Sequence, residues 1–235
     1  MTFAAVGGGQ FGQEGGATVS VTTHSVGNFI LASAGDDGSK TILATALSSS
    51  NVTWTKLGTS FAGSTVTATA QVFLGQVTAV STATVTATFS GSSTTPYIEG
   101  REFSTTAGFA AVTLDKQGHI DSAGTNTWAP LTPANSGSLY WGRATNSGSA
   151  VAGSTSGYVY TANSDGHSNG EAYNLNCPAL VSTVPVWGDT GQQFGIMVLV
   201  YEAGALSGPP VSLVAVNRPA LIVSNSGWRS AQHSR

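Results

Sequence analysis

The stretch Ser64–Phe103 reads STVTATAQVFLGQVTAVSTATVTATFSGSSTTPYIEGREF, and its texture decides the fold class. Val66, Ala68, Ala70, Val72 and Leu74 take every second place, with Thr67, Thr69 and Gln71 among the residues between them. After an intervening segment, Val85, Ala87 and Phe89 repeat the beat against Thr84, Thr86 and Thr88. A period of two belongs to strands with one face packed and the other wet. Threonine suits the wet face because its branched Cβ fits a pleated surface. Tyr97–Phe103 alternates less sharply, Ile98, Gly100 and Glu102 against Tyr97, Glu99, Arg101 and Phe103.

The pattern extends in both directions. Thr18–Thr23 alternates, and the apolar runs Asn28–Ala34 and Thr41–Leu47, joined by Gly35-Asp36-Asp37-Gly38, read as a hairpin. Asn51–Trp54 is a short strand. Residues 104–138, with Gly108, Gly118, Gly124, Pro130 and Pro133, read as a long irregular connection. Strand-like runs resume at Ser138–Ala144, Tyr158–Thr161, Glu171–Asn176 and Leu180–Val186. Gln193–Tyr201, QFGIMVLVY, is apolar almost throughout, as a central sandwich strand is. Gly208-Pro209-Pro210 then precedes a last pair, Val211–Val216 and Ala220–Val223. No segment reads as a helix, since glycine and β-branched residues lower its propensity. The expectation is an all-β, antiparallel sandwich, jelly-roll-like, with extended terminal arms. Its parts are an N-terminal arm (1–16), a sandwich domain (17–203) and a C-terminal appendage (204–235).

A chain of 235 residues can bury a core without metal or disulfide help. The single Cys177 excludes an intrachain disulfide and reads as a small buried hydrophobe. Thirty glycines without a Gly-X-Y period mark turns and exclude collagen. Charged residues make up 8%, against roughly 25% in an average soluble domain. A polar surface built from Thr, Ser, Asn and Gln fits a permanent member of a large assembly better than a free monomer. Residues 203–235 hold Arg218, Arg229 and Arg235 and no acid, too sparse a set for a nucleic-acid stripe. The opening MTFAAVGGGQFGQEGG has neither a basic n-region nor a continuous apolar core, so no signal peptide is expected. No run is long and apolar enough for a membrane helix, and synthesis in a cytosol is expected.

The segments VGNFILASAG (26–35), NVTWTKLG (51–58), QVFLGQV (71–77), ATVTATFSG (83–91) and YIEGREFS (97–104) together resemble a β-sandwich family of tailed actinobacterial phages, such as mycobacteriophages. Its members are minor capsid and minor tail proteins. The resemblance spans about residues 18–110, and Trp128–Pro130 and Gly157–Tyr160 match loosely. Asn28 replaces the usual aspartate, Phe73 stands where an aromatic is expected, and Thr105 follows Ser104 where glycine is usual. The matched residues belong to strands, so the resemblance implies a virion structural protein without cofactor or enzymatic activity. Its expected partners are other virion proteins, major capsid or tail, and further copies of itself. A head decoration or minor capsid role is expected, because no coiled coil or collagen-like stalk is present. The alternative is a minor tail or tail-tip protein that binds a surface glycan.

Candidate sites are few. His24, His119, His167, His233 and Cys177 lack the spacing of a zinc site. Gly7-Gly8-Gly9 is no phosphate loop, since no Lys-Ser/Thr follows and no strand precedes it. Glu99 and Glu102 fall on opposite faces of a strand, so they form no catalytic pair, and Glu99 with Arg101 reads as a surface ion pair. Asp36-Asp37-Gly38 and Asn163-Ser164-Asp165-Gly166 offer oxygens to calcium but read as turns. Trp54 reads as core. Trp128 and Trp141 flank the irregular region and are expected at an interface, with sugar stacking as the alternative. Phe3, Phe11, Arg218, Trp228 and Arg229 on the two terminal segments are expected to contact neighbouring subunits, with Trp228 the main anchor.

Overall fold

The structure is a computed structural model and describes residues 3–38, 44–124, 127–146, 151–162, 169–188, 191 and 193–203. Its strands are β1 (Ala4–Glu14), β2 (Thr18–Thr22), β3 (Phe29–Asp36), β4 (Ala44–Ser48), β5 (Val52–Ala62), β6 (Thr69–Val77) and β7 (Thr82–Phe89). There follow β8 (Pro96–Ser104), β9 (Val112–Ser122), β10 (Ser138–Asn146), β11 (Val159–Ala162), β12 (Asn169–Cys177) and β13 (Gln193–Glu202). No α-helix occurs among the described residues. The strands form three antiparallel sheets, ordered β1-β8-β3-β6-β5, β11-β12-β10-β13-β9 and β2-β7-β4. Six of the first eight strands pair in a nested way, β1 with β8, β2 with β7 and β3 with β6, while β4 joins β7 and β5 joins β6.

The first sheet is the middle layer. Phe29, Leu31, Val72, Leu74 and Phe103 on one face meet Trp141, Phe194, Ile196, Val198 and Val200 of the second sheet. Ile30, Ala32, Phe73, Val77 and Ile98 on the other face meet Val19, Val21, Leu47, Val85 and Ala87 of the third. Each large apolar side chain so buried contributes about 1.5–3 kcal/mol. The alternation in Ser64–Phe103 therefore has two meanings. On β7 it separates the exposed Thr82 and Thr84 from the buried Val85 and Ala87. On β6 both faces are covered, and Thr69 and Gln71, expected to be wet, are buried. Gln71 meets its polar needs internally, donating to the carbonyls of Leu57 and Val72.

Four sequence expectations change. Asn28–Ala34 and Thr41–Leu47 are not a hairpin, because β3 has β6 and β8 on its two edges while β4 pairs with β7 in another sheet. The irregular connection contains β9, an eleven-residue edge strand of the second sheet. Its period was masked because most of its side chains are only half-buried. Residues 4–14 are not a free arm but β1, paired with β8. Leu180–Val186 is no regular strand; it makes only the isolated bridges Thr127↔Val186 and Leu131↔Thr183. Gln193–Tyr201 does form a central strand, with β10 and β9 on either side. The pair at 211–223, like the whole appendage, lies outside the described residues.

A last layer covers the outer face of the second sheet. Trp128 lies over Gly142, where a Cβ would approach the indole to 2.8 Å, and Trp187 lies over Gly170, where it would approach to 2.2 Å. Two glycines thus make room for two indoles, whose ring centroids are 5.4 Å apart.

Candidate functional site

The sequence-predicted interface residues that the structure describes all lie inside the chain. Phe3 packs edge-on against Phe29, with ring centroids 5.7 Å apart. Phe11 belongs to the core against the third sheet. Trp141 is buried between the first and second sheets, its Nε1–H donating to Glu171. Trp128 is buried in the outer layer. Large aromatics look alike in a sequence whether they fill a core or an interface, and here the core takes all four. Arg218, Trp228 and Arg229 lie outside the described residues. Trp128 and Trp141, the two weighed for sugar stacking, are both buried and present no open ring face.

Instead, the charges are drawn inward. Along β8 the face towards the second sheet changes from Phe103 through Arg101 and Glu99 to Tyr97, and the apolar core becomes an ionic seam. Arg101 Nε donates to both oxygens of Glu171 at 3.0 and 2.9 Å. Its Nη2 donates to Gln10 and Thr161, and its guanidinium lies 4.9 Å from the Tyr173 ring centre. Arg143 Nε donates to Glu99 at 2.6 Å and its Nη2 to Asp37 at 3.0 Å. Its guanidinium lies 3.6 Å from the Tyr97 ring centre. Burial pushes the Tyr97 hydroxyl well above its ordinary range, so that ring stays neutral beside the cation. Glu99 and Arg101, expected as a surface pair, are thus both buried and bound to different partners across the interface. Removing one member of such a pair leaves a charge stranded in low dielectric.

The carboxylates of the first candidate calcium turn are engaged by groups of the protein. Asp36 accepts the N–H groups of Gly38 and Thr94 at 2.6 and 2.7 Å, and Asp37 is held by Arg143. The first candidate calcium turn therefore spends its oxygens on protein donors, and the second, at 163–166, lies outside the described residues. No group of three His, Cys, Asp or Glu able to hold a metal ion occurs among the described residues. Of the thirteen described Asp, Glu, Lys and Arg, only Lys56 and Lys116 are exposed. They stand on β5 and β9, the edge strands of the first and second sheets, where lysine discourages pairing with another sheet.

Along β9, Gln117, His119 and Asp121 reach across to β5 and the loop after it. The His119 ring stacks on Phe61 with centroids 4.2 Å apart. Asp121 accepts the N–H groups of Ser64, Thr65 and Val66 at 2.5, 2.9 and 2.8 Å. Its slight burial would raise its pKa, but the Ser64 hydroxyl, donating at 2.7 Å, and these N–H groups outweigh that and hold the carboxyl down to about 2.

On the opposite edge, Glu102 is buried beneath β1. It accepts His24 Nδ1 at 2.8 Å, the His24 backbone N–H at 3.1 Å and Asn28 Nδ2 at 2.6 Å. Pairing between β1 and β8 shifts register between Ala5 and Gln10, so Val6-Gly7-Gly8-Gly9 bulges over this cluster. A Cβ on Gly9 would come within 2.9 Å of Glu102 Cβ, and Gly8 has φ +72°. The glycine run is therefore a fitted bulge, which only the partner strand reveals.

Comparison with protein-family models, with curated proteins and with solved structures yields no match.

Proposed function

We propose that this chain is a structural protein of a phage particle, a minor capsid or head decoration protein held on the particle surface by other virion proteins and by its own copies. The placement of charge carries this reading: both described arginines are sealed inside, and seven of the thirteen described charged side chains are buried, which leaves few charges at the surface. Such a surface lacks the mutual repulsion that keeps free proteins apart and suits permanent contact with neighbours. It also lacks the clustered cations that nucleic acid requires. The nested pairing of six of the first eight strands, as in a long hairpin rolled on itself, supports a jelly-roll reading of residues 4–104. The five segments that resemble phage virion proteins fall within that range. The tail-tip adhesin reading has less support, since Trp128 and Trp141 are enclosed.

The test is to add purified, labelled protein to particles assembled without it and to image them. Label repeated over the shell is the expected result. Label confined to the tail end refutes head decoration, and a protein that neither self-associates nor co-sediments with particles refutes the structural role.

A further inference from the structure

The His24–Glu102 pair has the parts of an acid–base site. Glu102, at 1% side-chain exposure, holds Nδ1 of a histidine whose side chain is 35% exposed. The His24 and Asn28 N–H groups fix that carboxylate, so it cannot turn away. A carboxylate bound at Nδ1 keeps the proton there and leaves the Nε2 lone pair free to work. Nε2 points to the glycine bulge: a Cβ on Gly8 would stand 3.8 Å from it, and a Cβ on Gly7 would meet nothing within 4 Å. The approach to Nε2 is thus lined by residues without side chains.

We propose that this pair hydrolyses small, uncharged carboxylic esters, with His24 as the catalytic base and Glu102 as its positioning residue. Nε2 removes a proton from water as the water oxygen adds to the ester carbonyl carbon. The tetrahedral intermediate then re-forms the carbonyl and breaks the C–O bond to the alkoxide. The imidazolium returns its proton to that alkoxide, giving acid and alcohol with no oxidant or reductant. The Glu102 carboxylate stabilises the imidazolium formed on the way. Charge selects the substrate class. A phosphate ester would meet the Glu102 carboxylate with no cation among the described residues to offset it. The exposed lysines stand on β5 and β9, across the sheets from β1, and both described arginines are engaged on the other face of β8.

This assignment is independent of the particle role and is tested on the full chain with p-nitrophenyl acetate. Saturable release about 100-fold or more above an equal concentration of free imidazole is expected. His24→Gln and His24→Asn should abolish it, while His119→Gln should leave it unchanged. Glu102→Gln should lower it and displace its pH profile. Circular dichroism of each variant separates loss of chemistry from loss of fold. Wild-type release no faster than imidazole overturns the proposal, whatever the variants do. Activity that survives either His24 substitution also overturns it, and a Glu102→Gln profile superimposed on wild type overturns the role of Glu102.

Discussion

One side-chain amide, that of Gln117 on β9, accepts the N–H of Thr59 on β5 and donates to its carbonyl, each at 2.8 Å. It takes the place that a neighbouring strand would hold and closes the first sheet against the second along their shared edge. Gly58, at φ +70°, permits the approach, since a Cβ there would lie 2.2 Å from Gln117 Oε1. Replacing Gln117 by Ala removes both bonds at a solvent-facing position. The expected cost is about 1–2 kcal/mol. Denaturant titration measures it, and faster amide exchange confined to β5 and β9 identifies its place.

Arg143 tests the ionic seam. Arg143→Ala strands Glu99 and Asp37 and should cost about 3–5 kcal/mol. Pairing Arg143→Met with Glu99→Met should recover part of that loss, because the seam then becomes apolar. A double-mutant cycle by chemical denaturation gives the coupling. If both single variants and the double variant are equally stable, the seam has no energetic role.

Asp121 gives the acid response. Its folded carboxyl titrates near 2, below the ordinary 3.8, so the ionised form is favoured by folding. Its contribution is complete above the unfolded value and disappears as pH falls through about 2. Asp121→Asn should therefore melt lower than wild type at pH 6. The gap should narrow steadily between about pH 4 and pH 2. Melting curves across that range check the sign.

Gly170→Ala drives a methyl group into the Trp187 indole, whose ring also packs against Trp128 and Tyr160. Overpacking of this kind costs about 1–3 kcal/mol. Combining it with Trp187→Phe should relieve the clash, a reversal that thermal melting can detect.

Cys177 is buried, and burial pushes its thiol above the ordinary range. Native protein should react with a disulfide reagent only as fast as it opens, whereas denatured protein should react at once. Rapid labelling without denaturant would contradict that burial.

The period of two made the all-β class legible, and the length and apolarity of Gln193–Tyr201 located a central strand. What the period did not disclose is how many layers there are. Gln71 and Thr69 obey the same alternation whether the far side of β6 is water or a second core. Ladder partners were equally hidden: two apolar runs beside a turn suggest a hairpin, yet β3 already has both edges filled by strands distant in sequence. The site was less legible still. Glu102 and His24 are 78 residues apart, and nothing in either neighbourhood signals the other. Gly7-Gly8-Gly9 looked like slack chain because the strand that gives the bulge its shape begins ninety residues later. Polar partners chosen by tertiary contact leave no local mark.

The double-sided burial of the first sheet also determines how the molecule comes apart. Ile30 and Leu31 are adjacent residues, yet they belong to different cores, so neither core has a wall of its own. Peeling away the third sheet bares one side of β3, β6 and β8, and removing the second bares the other. The described sheets should therefore share one cooperative melting transition, and damage at Phe73 should be felt at Ile196, in a core that Phe73 does not touch.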